Sequence, residues 1–342
     1  LLKDDPKYSL DGIGAYHLTL GRNKKSVELD LKSEEGLKLF KELAEVADVV
    51  VDNFSQGVTK RLGIDHQSLK EVNPKIITCS ISGFGDTEVN RPAYDNLIQG
   101  YAGAMSITGT DKENPVKSGI PIADLGAGLY AVIGILSAIQ SREKNDSGEH
   151  VDISMLDTQV SLLTYMATMH FLSGENPEPI GNQHMNHVPF NSYRTSDGFI
   201  QIGVVAEDFW PSLIEALDLK QLDTEENKVR SGRLKNREHI DQAVQEVFIT
   251  NTTEHWLKTL QEHRVPCGPI NTLSETFQDA DLLKRNMIVE VLQDSGASVK
   301  MPGNPVKISN HDEEFRRSPK LGEHTSEIFK DWLDKDISVD QD

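Results

Sequence analysis

The sequence predicts an α/β protein with a large domain, built on a doubly wound (Rossmann-like) parallel sheet, and a smaller α+β domain. Strand-like and helix-like patterns alternate over residues 26–82, which favours parallel strands joined by right-handed crossovers. A stretch rich in Gly, Pro and Asn at 173–184 then separates this region from one with a hairpin signal and amphipathic helices. A chain of 342 residues has room for two such domains.

Hydrophobic periodicity predicts each element of the first region. A helix over 33–46 has apolar residues at helical spacing behind Ser33, a favoured N-cap. Continuous apolar runs are typical of strands covered on both faces. The other predicted elements are strands at 26–31, 47–54, 74–82 and 150–156, a short helix around 57–63, a helix capped by Asp65, an apolar helix over 126–142 and a helix over 157–172.

The second region, after residue 184, has a different pattern of predicted elements. Two strands in 192–205 flank Ser196, Asp197 and Gly198, a strong hairpin signal. The remaining predicted elements are amphipathic helices in 207–219, 237–250 and 252–263, a strand in 297–309 and one last helix before an acidic end.

The predicted domain limits follow from these patterns. The first part of the large domain spans 1–172, a linker spans 173–190 and the small α+β domain spans 191–300. Residues 301–342 form a linker and a C-terminal return to the large domain.

Charge and cysteine content exclude several function classes. A formal net charge of −19 disfavours nucleic acid and anionic membranes as partners. The longest apolar runs are shorter than the ~20 residues that span a bilayer. Cys79 and Cys267 lie far apart and suggest neither a disulfide framework nor a metal site. We therefore expect a reduced, cytoplasmic compartment (or the mitochondrial matrix in a eukaryote) and no metal.

Polar and glycine residues follow the predicted parallel strands. Asn53 and Phe54 follow one strand, and the turn at Gly83 follows another. Ligands of doubly wound sheets bind at the carboxyl ends of the strands, so this edge is the expected binding site. A GxGxxG motif, which a nicotinamide-dependent oxidoreductase would carry, is absent; GIGAYH at 12–17 lacks the third glycine.

Asp124 lies in PIADLGAG, at the elbow between a strand-like stretch and an apolar helix. Aspartate is a good helix N-cap, which gives a purely structural interpretation. A carboxylate held at a helix start among glycines is also a plausible nucleophile. The segment alone leaves both interpretations open.

Several ordered blocks resemble one enzyme family. GRNKKSVELDL, ADVVVDNFSQGVTKRLG, NPKIITCSISGFG, RPAYDNLIQGYAGAMSITG and PIADLGAGLYAVIGILSAI resemble the class III (CaiB/BaiF-type) CoA-transferases. GNQHMNHVPFNSYRTSDGFIQIG, VPCGPINTLSE and PKLGEHT extend the similarity over nearly the whole chain. The resemblance implies a homodimer of two interlocked chains. It also implies that a strand and a helix of the family precede the position matched by Leu1.

The resemblance implies that Asp124 is the catalytic residue. Its carboxylate would attack an acyl-CoA thioester and carry CoA to a carboxylic acid through an anhydride and an aspartyl-CoA thioester. Backbone donors near Gly126 would approach the developing oxyanion. Tyr94 and Asp95 match positions near the reacting thioester, although Asp95 is equally compatible with a turn or cap.

Other matched positions imply a site for coenzyme A, which the resemblance makes a substrate, with no tightly bound cofactor. Arg61 would hold phosphate, and Asn53 and Phe54 would bind the adenine. The cationic loop before residue 26 would contact the nucleotide, although a solvated turn explains it too. The implied CoA-contacting residues are Arg22, Asn23, Lys24, Asn53, Phe54, Arg61 and Gly83.

The resemblance leaves the acid and two other functions open. Formyl-CoA transferase carries a run of glycines where this chain has GNQHMNHVPF, which favours a small dicarboxylate, with succinyl-CoA as donor, over formate and oxalate. His184, with His187, would line the acid pocket or lie on the surface. An α-methylacyl-CoA racemase would pair Asp124 with a histidine, yet the triplet here ends in Tyr94 and Asp95. A non-catalytic acyl-CoA binding protein would not need Asp124.

Overall fold

The computed structural model describes residues 3–89 and 91–336. The strands in this part are β1 (Ser9–Leu10), β2 (Ile13–Gly14), β3 (Val49–Asp52), β4 (Ile77–Ser82), β5 (His150–Ser154), β6 (Phe190–Arg194), β7 (Phe199–Gly203), β8 (Cys267–Pro269), β9 (Ile288–Leu292) and β10 (Ser298–Pro302). The α-helices are α1 (Ala15–Leu20), α2 (Glu34–Val46), α3 (Val58–Leu62), α4 (His66–Val72), α5 (Asp95–Tyr101), α6 (Ile122–Asn145), α7 (Met155–Leu162), α8 (Tyr165–Ser173), α9 (Phe209–Leu217), α10 (Arg230–Lys235), α11 (Arg237–Phe248), α12 (Thr253–Glu262), α13 (Leu273–Thr276), α14 (Ala280–Lys284) and α15 (Thr325–Leu333).

The chain divides into two compact units. The first contains Leu1–Ala93, Asp124–Thr158 and Leu273–Asp342, and the second contains Tyr94–Ala123 and Gln159–Thr272. The boundary near residue 93 and the return at 273 differ from the domain limits of the sequence analysis. This division follows contacts between residues in the folded chain, whereas the limits in the sequence analysis follow changes in composition along the chain.

A parallel sheet of order β3-β4-β5 is the centre of the first unit. Cys79 pairs with Val151 in register, and both face α6, because a Cβ on Gly134 of that helix would lie 2.6 Å from Val151 Cγ1. Only a glycine allows this close approach of helix and sheet. The neighbouring register pair, Ser80 and Asp152, points to the opposite face of the sheet, which is polar.

Local capping signals place the helices around this sheet as predicted. The Ser33 hydroxyl accepts a 2.9 Å hydrogen bond from the Gly36 nitrogen at the start of α2. Asp65 accepts hydrogen bonds from the Gln67 and Ser68 nitrogens at the start of α4. These predictions are confirmed because both the cap and the groups that it satisfies lie within one helical turn.

The predicted strand at 26–31 is wrong, because these residues pair with no strand in the described part of the chain. The C-terminal segment binds them instead. The Ser26 carbonyl accepts from the His324 nitrogen, and the Glu28 nitrogen donates to the Thr325 hydroxyl. An alternating pattern becomes a strand only when a neighbouring backbone completes the ladder.

Two helix predictions also need correction. The helix predicted over 157–172 is broken between α7 and α8, where Thr164 has φ of 50°. Residues 122–123, part of the strand-like stretch in the sequence analysis, instead form the first turn of α6. The helix therefore begins four residues before position 126 and continues to Asn145.

Helix α6 is the longest in the described part of the chain, at 24 residues, and by length and composition it could cross a membrane. The expectation that no segment reaches this length is therefore wrong. A core helix of a soluble protein passes the same test. Ala127, Ala131 and Ala138 are buried, whereas Leu129 and Ile133 are exposed, so the helix has one packed face and one open apolar face.

The second unit is built on an antiparallel sheet of order β6-β7-β8. The predicted hairpin is confirmed, with Thr195 and Gly198 closing the turn between β6 and β7. Helices α9, α11 and α12 pack Trp210, Phe248 and Trp256 into one core. The Trp256 indole donates to the Phe248 carbonyl at 2.8 Å, which satisfies its buried N–H.

Candidate active site

Asp124 is the third residue of α6 and is exposed. It therefore belongs to the first turn of the helix and is not its N-cap. The N–H groups of the first turn and the helix dipole favour an ionised carboxylate at this position. An ionised, accessible carboxylate is the form that a nucleophile requires.

The start of α6 is capped by Asp95, which lies 28 residues upstream of the residue that it binds. The backbone nitrogen of Ala123 donates a 2.9 Å hydrogen bond to Asp95 Oδ1. The other oxygen, Oδ2, accepts a 2.6 Å hydrogen bond from Gln99 Nε2. Both carboxylate oxygens of Asp95 thus bind groups of the protein, and one of these groups is the backbone nitrogen of the residue immediately before Asp124.

Three other predicted substrate-binding residues have different surroundings. Tyr94 is 68 % exposed at the N-terminal boundary of α5. Gly126 is buried in α6, two residues beyond Asp124. His184 lies in the second unit, and its Nδ1 accepts a 3.0 Å hydrogen bond from the Asn186 nitrogen.

Three of the predicted CoA-binding residues follow the strand ends of the first unit. The Asn53 side chain donates from Nδ2 to the Ile81 carbonyl at 2.5 Å, which ties the end of β3 to β4 and leaves its Oδ1 as an acceptor. Phe54 is 42 % exposed and offers an open ring for stacking. The Gly83 carbonyl accepts a hydrogen bond from the nitrogen of Leu156, which lies beyond the end of β5.

The predicted cations divide into engaged and free groups. Arg22 donates to the carbonyls of Thr19 and Pro302, and Lys24 donates to the Leu20 carbonyl. In contrast, Arg61 is exposed, and within residues 3–89 and 91–336 its guanidinium makes no hydrogen bond or ion pair. Of these three cations, Arg61 is therefore the least constrained within the described part of the chain.

Asn23 has a structural role in the loop that precedes residue 26. Its φ is 59°, a left-handed conformation that asparagine tolerates better than most residues. Its Nδ2 donates to the Glu314 carbonyl, and its Oδ1 accepts from the Arg316 nitrogen. Asn23 therefore joins this loop to the segment that follows β10.

An open cleft of about 860 Å³ lies on the polar face of the parallel sheet, and Phe54 and Lys60 are among its lining residues. At its floor the Thr78 hydroxyl lies 2.9 Å from His66 Nδ1 and 2.7 Å from His150 Nδ1. Burial and the nearby His150 lower the pKa of His66. The sequence analysis missed Lys60 and both histidines, because only the sheet register brings them together.

His184 and His187 form a ring pair in the second unit, with centroids 4.6 Å apart. Burial, the neighbouring His184 and two arginines lower the pKa of His187, and its Nδ1 is buried with no hydrogen-bond partner among the described residues. Arg237 donates to the His184 carbonyl at 2.7 Å and so anchors this loop. The sequence analysis missed Arg237, which lies 53 residues from that carbonyl.

The two cysteines are unsuited to nucleophilic chemistry at neutral pH. Cys79 is fully buried, and burial together with Asp52 and Asp152 raises the pKa of its thiol to about 11. Burial also raises the pKa of Cys267. Both thiols are therefore protonated where a thiolate would be needed. No metal-ligand cluster occurs among residues 3–89 and 91–336.

Comparison with known proteins identifies the family. A family model described as CoA-transferase family III matches residues 3–325. The chain belongs to CoA-transferase family III. It is therefore an enzyme that transfers CoA from a thioester to an acid, which confirms the family and activity expected from the resemblance.

Two relatives and one solved structure illustrate the similarity. Human succinyl-CoA:glutarate CoA-transferase is 32% identical over 93% of this chain and 74% of its own length. Acetyl-CoA:oxalate CoA-transferase of Acetobacter aceti is 32% identical over 93% of this chain and 82% of its own. A CaiB/BaiF family protein from Brucella suis superposes with a TM-score of 0.85 at 33% identity, over 94% of this chain and 86% of that chain. This likeness confirms the expected α/β fold class.

Proposed function

We propose that this family III enzyme transfers CoA from succinyl-CoA to a small dicarboxylate, with Asp124 as its nucleophile. The observation that carries the proposal is an exposed carboxylate in the first turn of α6, where the helix start favours its charged form. Glutarate and oxalate, which the two relatives accept, are both small dicarboxylates. Sequence similarity therefore supports the class of acid.

The proposed reaction conserves the energy of the thioester. An Asp124 oxygen attacks the thioester carbonyl, the C–S bond breaks, and a mixed anhydride and CoA thiolate form. The thiolate attacks the Asp124 carbonyl, which forms an aspartyl-CoA thioester and releases the donor acid. The acceptor carboxylate then attacks this thioester and expels the thiolate, which finally attacks the acceptor's acyl carbon and regenerates Asp124.

Coenzyme A enters the proposal as a substrate, and its nucleotide end meets the edge of the parallel sheet. Arg61 supplies a cation that has no partner among the described residues, and Phe54 supplies an exposed ring for the adenine. Asn53 retains one acceptor for the adenine amino group. The remaining proposed contacts with CoA come from Gly83 and from the loop of Arg22, Asn23 and Lys24. These residues would use backbone groups and the side-chain donors that are not already engaged within the protein.

The acid acceptor is proposed to bind near His184 and His187. Imidazoles can donate hydrogen bonds to a second carboxylate, and the unpartnered Nδ1 of His187 is one such group. In this chain GNQHMNHVPF replaces the glycine run of formyl-CoA transferase, which supports an acid other than oxalate or formate.

The proposal includes a homodimer, which lies in the cytoplasm or, in a eukaryote, in the mitochondrial matrix. Helix α6 exposes Leu129, Ile133 and Leu136, and α8 exposes Phe171 and Leu172. Apolar faces of this kind are normally covered by protein. Light scattering of the purified chain tests the dimer, and a monomer at micromolar concentration contradicts it.

A product assay tests the reaction. The enzyme is incubated with succinyl-CoA and, in turn, glutarate, oxalate and formate, and each new CoA ester is measured by mass spectrometry. We expect glutaryl-CoA to form faster than oxalyl-CoA. Faster formation of oxalyl-CoA or formyl-CoA would contradict the proposed acceptor, and no CoA ester from any acid would contradict the proposed donor.

A further inference from the structure

Gln99 is a buried glutamine whose side chain binds at both ends. It is 1 % exposed and lies one helical turn after Asp95 in α5. Its Nε2 donates to Asp95 Oδ2 at 2.6 Å, and its Oε1 accepts from the Ser118 nitrogen at 2.8 Å. The two partners fix the orientation of the amide, because a carboxylate only accepts and a backbone N–H only donates.

The same pair of side chains holds both ends of the segment that leads into α6. Gln99 binds the Ser118 nitrogen, and Asp95 binds the Ala123 nitrogen. The N–H groups in the first turn of a helix have no acceptor within the helix, so Asp95 supplies one from another element. Asp124 follows Ala123 directly, in the same turn of α6.

We propose that Gln99 is a positioning residue for CoA transfer, which holds Asp95 against the start of α6 and thereby sets the direction of Asp124. This inference rests on the proposed role of Asp124 as the nucleophile. Small displacements of a reacting group cost a large part of the rate, because the attack requires a narrow range of distance and angle. Gln99 acts on the rate through the backbone, without itself meeting the substrate.

Two substitutions separate positioning from general stability. Gln99→Leu keeps a side chain of similar size but removes both hydrogen bonds. Gln99→Glu keeps an acceptor for Ser118 and replaces the amide donor by a carboxyl group that faces the Asp95 carboxylate. Two carboxylates at such a distance cannot both be ionised readily, so the introduced group restores the hydrogen bond to Asp95 only when it is protonated.

Gln245 provides the matched control. It also uses both ends of its amide, since its Oε1 accepts from the Arg194 nitrogen and its Nε2 donates to the Arg194 carbonyl, each at 2.9 Å. It links α11 to β6 in the second unit. Gln245→Leu and Gln245→Glu therefore remove hydrogen bonds to Arg194, which do not involve Asp95, Ser118 or Ala123.

The experiment measures steady-state kinetics with succinyl-CoA and glutarate at a series of pH values from 5.5 to 8.5, together with unfolding by urea. For Gln99→Leu we expect kcat to fall on the order of 10- to 100-fold, with a KM for succinyl-CoA within about twofold of wild type. For Gln99→Glu we expect kcat, relative to wild type, to rise as the pH falls. The Gln245 variants should keep the wild-type kcat and pH profile.

The outcomes distinguish this inference from the proposed function. The wild-type enzyme is first incubated with succinyl-CoA and hydroxylamine, and Asp124 is examined for a hydroxamate. If wild type gains none, the proposed function fails. If wild type is modified and both Gln99 variants are modified at the wild-type rate, or Gln99→Glu keeps the wild-type pH profile, the positioning role is wrong. Should Gln99→Leu not fold, the Gln99→Glu pH profile decides alone, because its protonated form is nearly isosteric with glutamine.

Discussion

The carboxylate of Asp95 lies 2.9 Å from the backbone nitrogen of Ala123, the residue that precedes Asp124. Asp95 thus serves as the cap of a helix to which it does not belong. The sequence analysis left two roles open for Asp95, contact with the reacting group or a local cap. The structure shows that it caps α6, while a direct contact with substrate stays a prediction.

Removing this cap should slow the reaction and also destabilise the fold. Asp95→Ala leaves the Ala123 nitrogen and the buried Gln99 amide without their acceptor, which costs about 1–3 kcal/mol of stability. We expect kcat to fall roughly 10- to 100-fold because the first turn of α6 loses its anchor. Steady-state kinetics and urea unfolding measure the two effects.

Asp279→Ala is the matched control for Asp95→Ala. Asp279 caps α14 through the Asp281 and Leu282 nitrogens, each at 2.9 Å. This variant should lose about 1 kcal/mol of stability while its kcat remains that of wild type. Equal losses of kcat in both variants would mean that the effect is one of general stability.

Arg61 should contribute to the binding of acyl-CoA. Arg61→Glu replaces an exposed cation, free among the described residues, by an anion that repels phosphate. We expect KM for succinyl-CoA to rise roughly tenfold or more at low ionic strength, with a smaller effect on kcat. Lys38→Glu, on the exposed face of α2, makes the same change of charge elsewhere. An equal rise of KM in both variants would show that the change in net charge, and not a contact of Arg61 with CoA, causes the effect.

Arg233 should be critical for the second unit. It is 1 % exposed, pairs with Glu207 at 2.7 Å and donates to the carbonyls of Val188 and Asn227. Arg233→Leu leaves the buried carbonyls of Val188 and Asn227 without this donor, so the free energy of unfolding should fall by about 1–3 kcal/mol for each carbonyl. Exposed Arg230→Leu should cost less than about 1 kcal/mol. Urea unfolding compares them, and similar losses would contradict a structural role for the buried guanidinium.

The His66–Thr78–His150 cluster should make stability depend on pH. Burial, followed by repulsion from His150 and Lys70, lowers the pKa of His66, while Asp65 acts in the opposite direction. The unfolded chain therefore takes up a proton before the folded chain does, and stability is lost as the pH falls through about 6.5 towards the folded pKa.

Unfolding by urea at pH 7.5 and 5.5 tests this dependence with His66→Gln. The variant should lose less free energy of unfolding than wild type between the two pH values, because position 66 no longer has an imidazole to protonate. His311→Gln changes an exposed histidine and serves as the control. If His66→Gln keeps the wild-type difference between the two pH values, the cluster does not cause the pH dependence.

Prediction from sequence succeeded where the deciding contacts are local. The Ser33 cap and the groups that it binds lie within three residues of each other, so the start of α2 could be predicted. The strand at 26–31 could not be judged locally, because its partner is the segment around Thr325, nearly 300 residues away in sequence. The start of α6 was misplaced for the same reason, since its cap is Asp95.

Residues of the candidate site also differ in how far local sequence could predict them. Asp124 stands out in the sequence as a carboxylate at a helix start, but its choice as nucleophile rests on the family resemblance. Gln99 gave one local signal, its spacing of four residues from Asp95 on a helix. Its second partner, Ser118, comes from a loop whose position only the folded chain defines. Side chains that orient a reacting group are therefore harder to predict than the group itself.

The central claim is that the Asp124 carboxylate becomes covalently activated during CoA transfer. The most direct test is the intact mass and peptide map of the enzyme after incubation with succinyl-CoA and hydroxylamine, beside an Asp124→Asn control. The account predicts a hydroxamate at Asp124 in the wild-type enzyme and none in the variant, which should also lack transferase activity. CoA-ester formation with no modification of Asp124, or full turnover by Asp124→Asn, would contradict it.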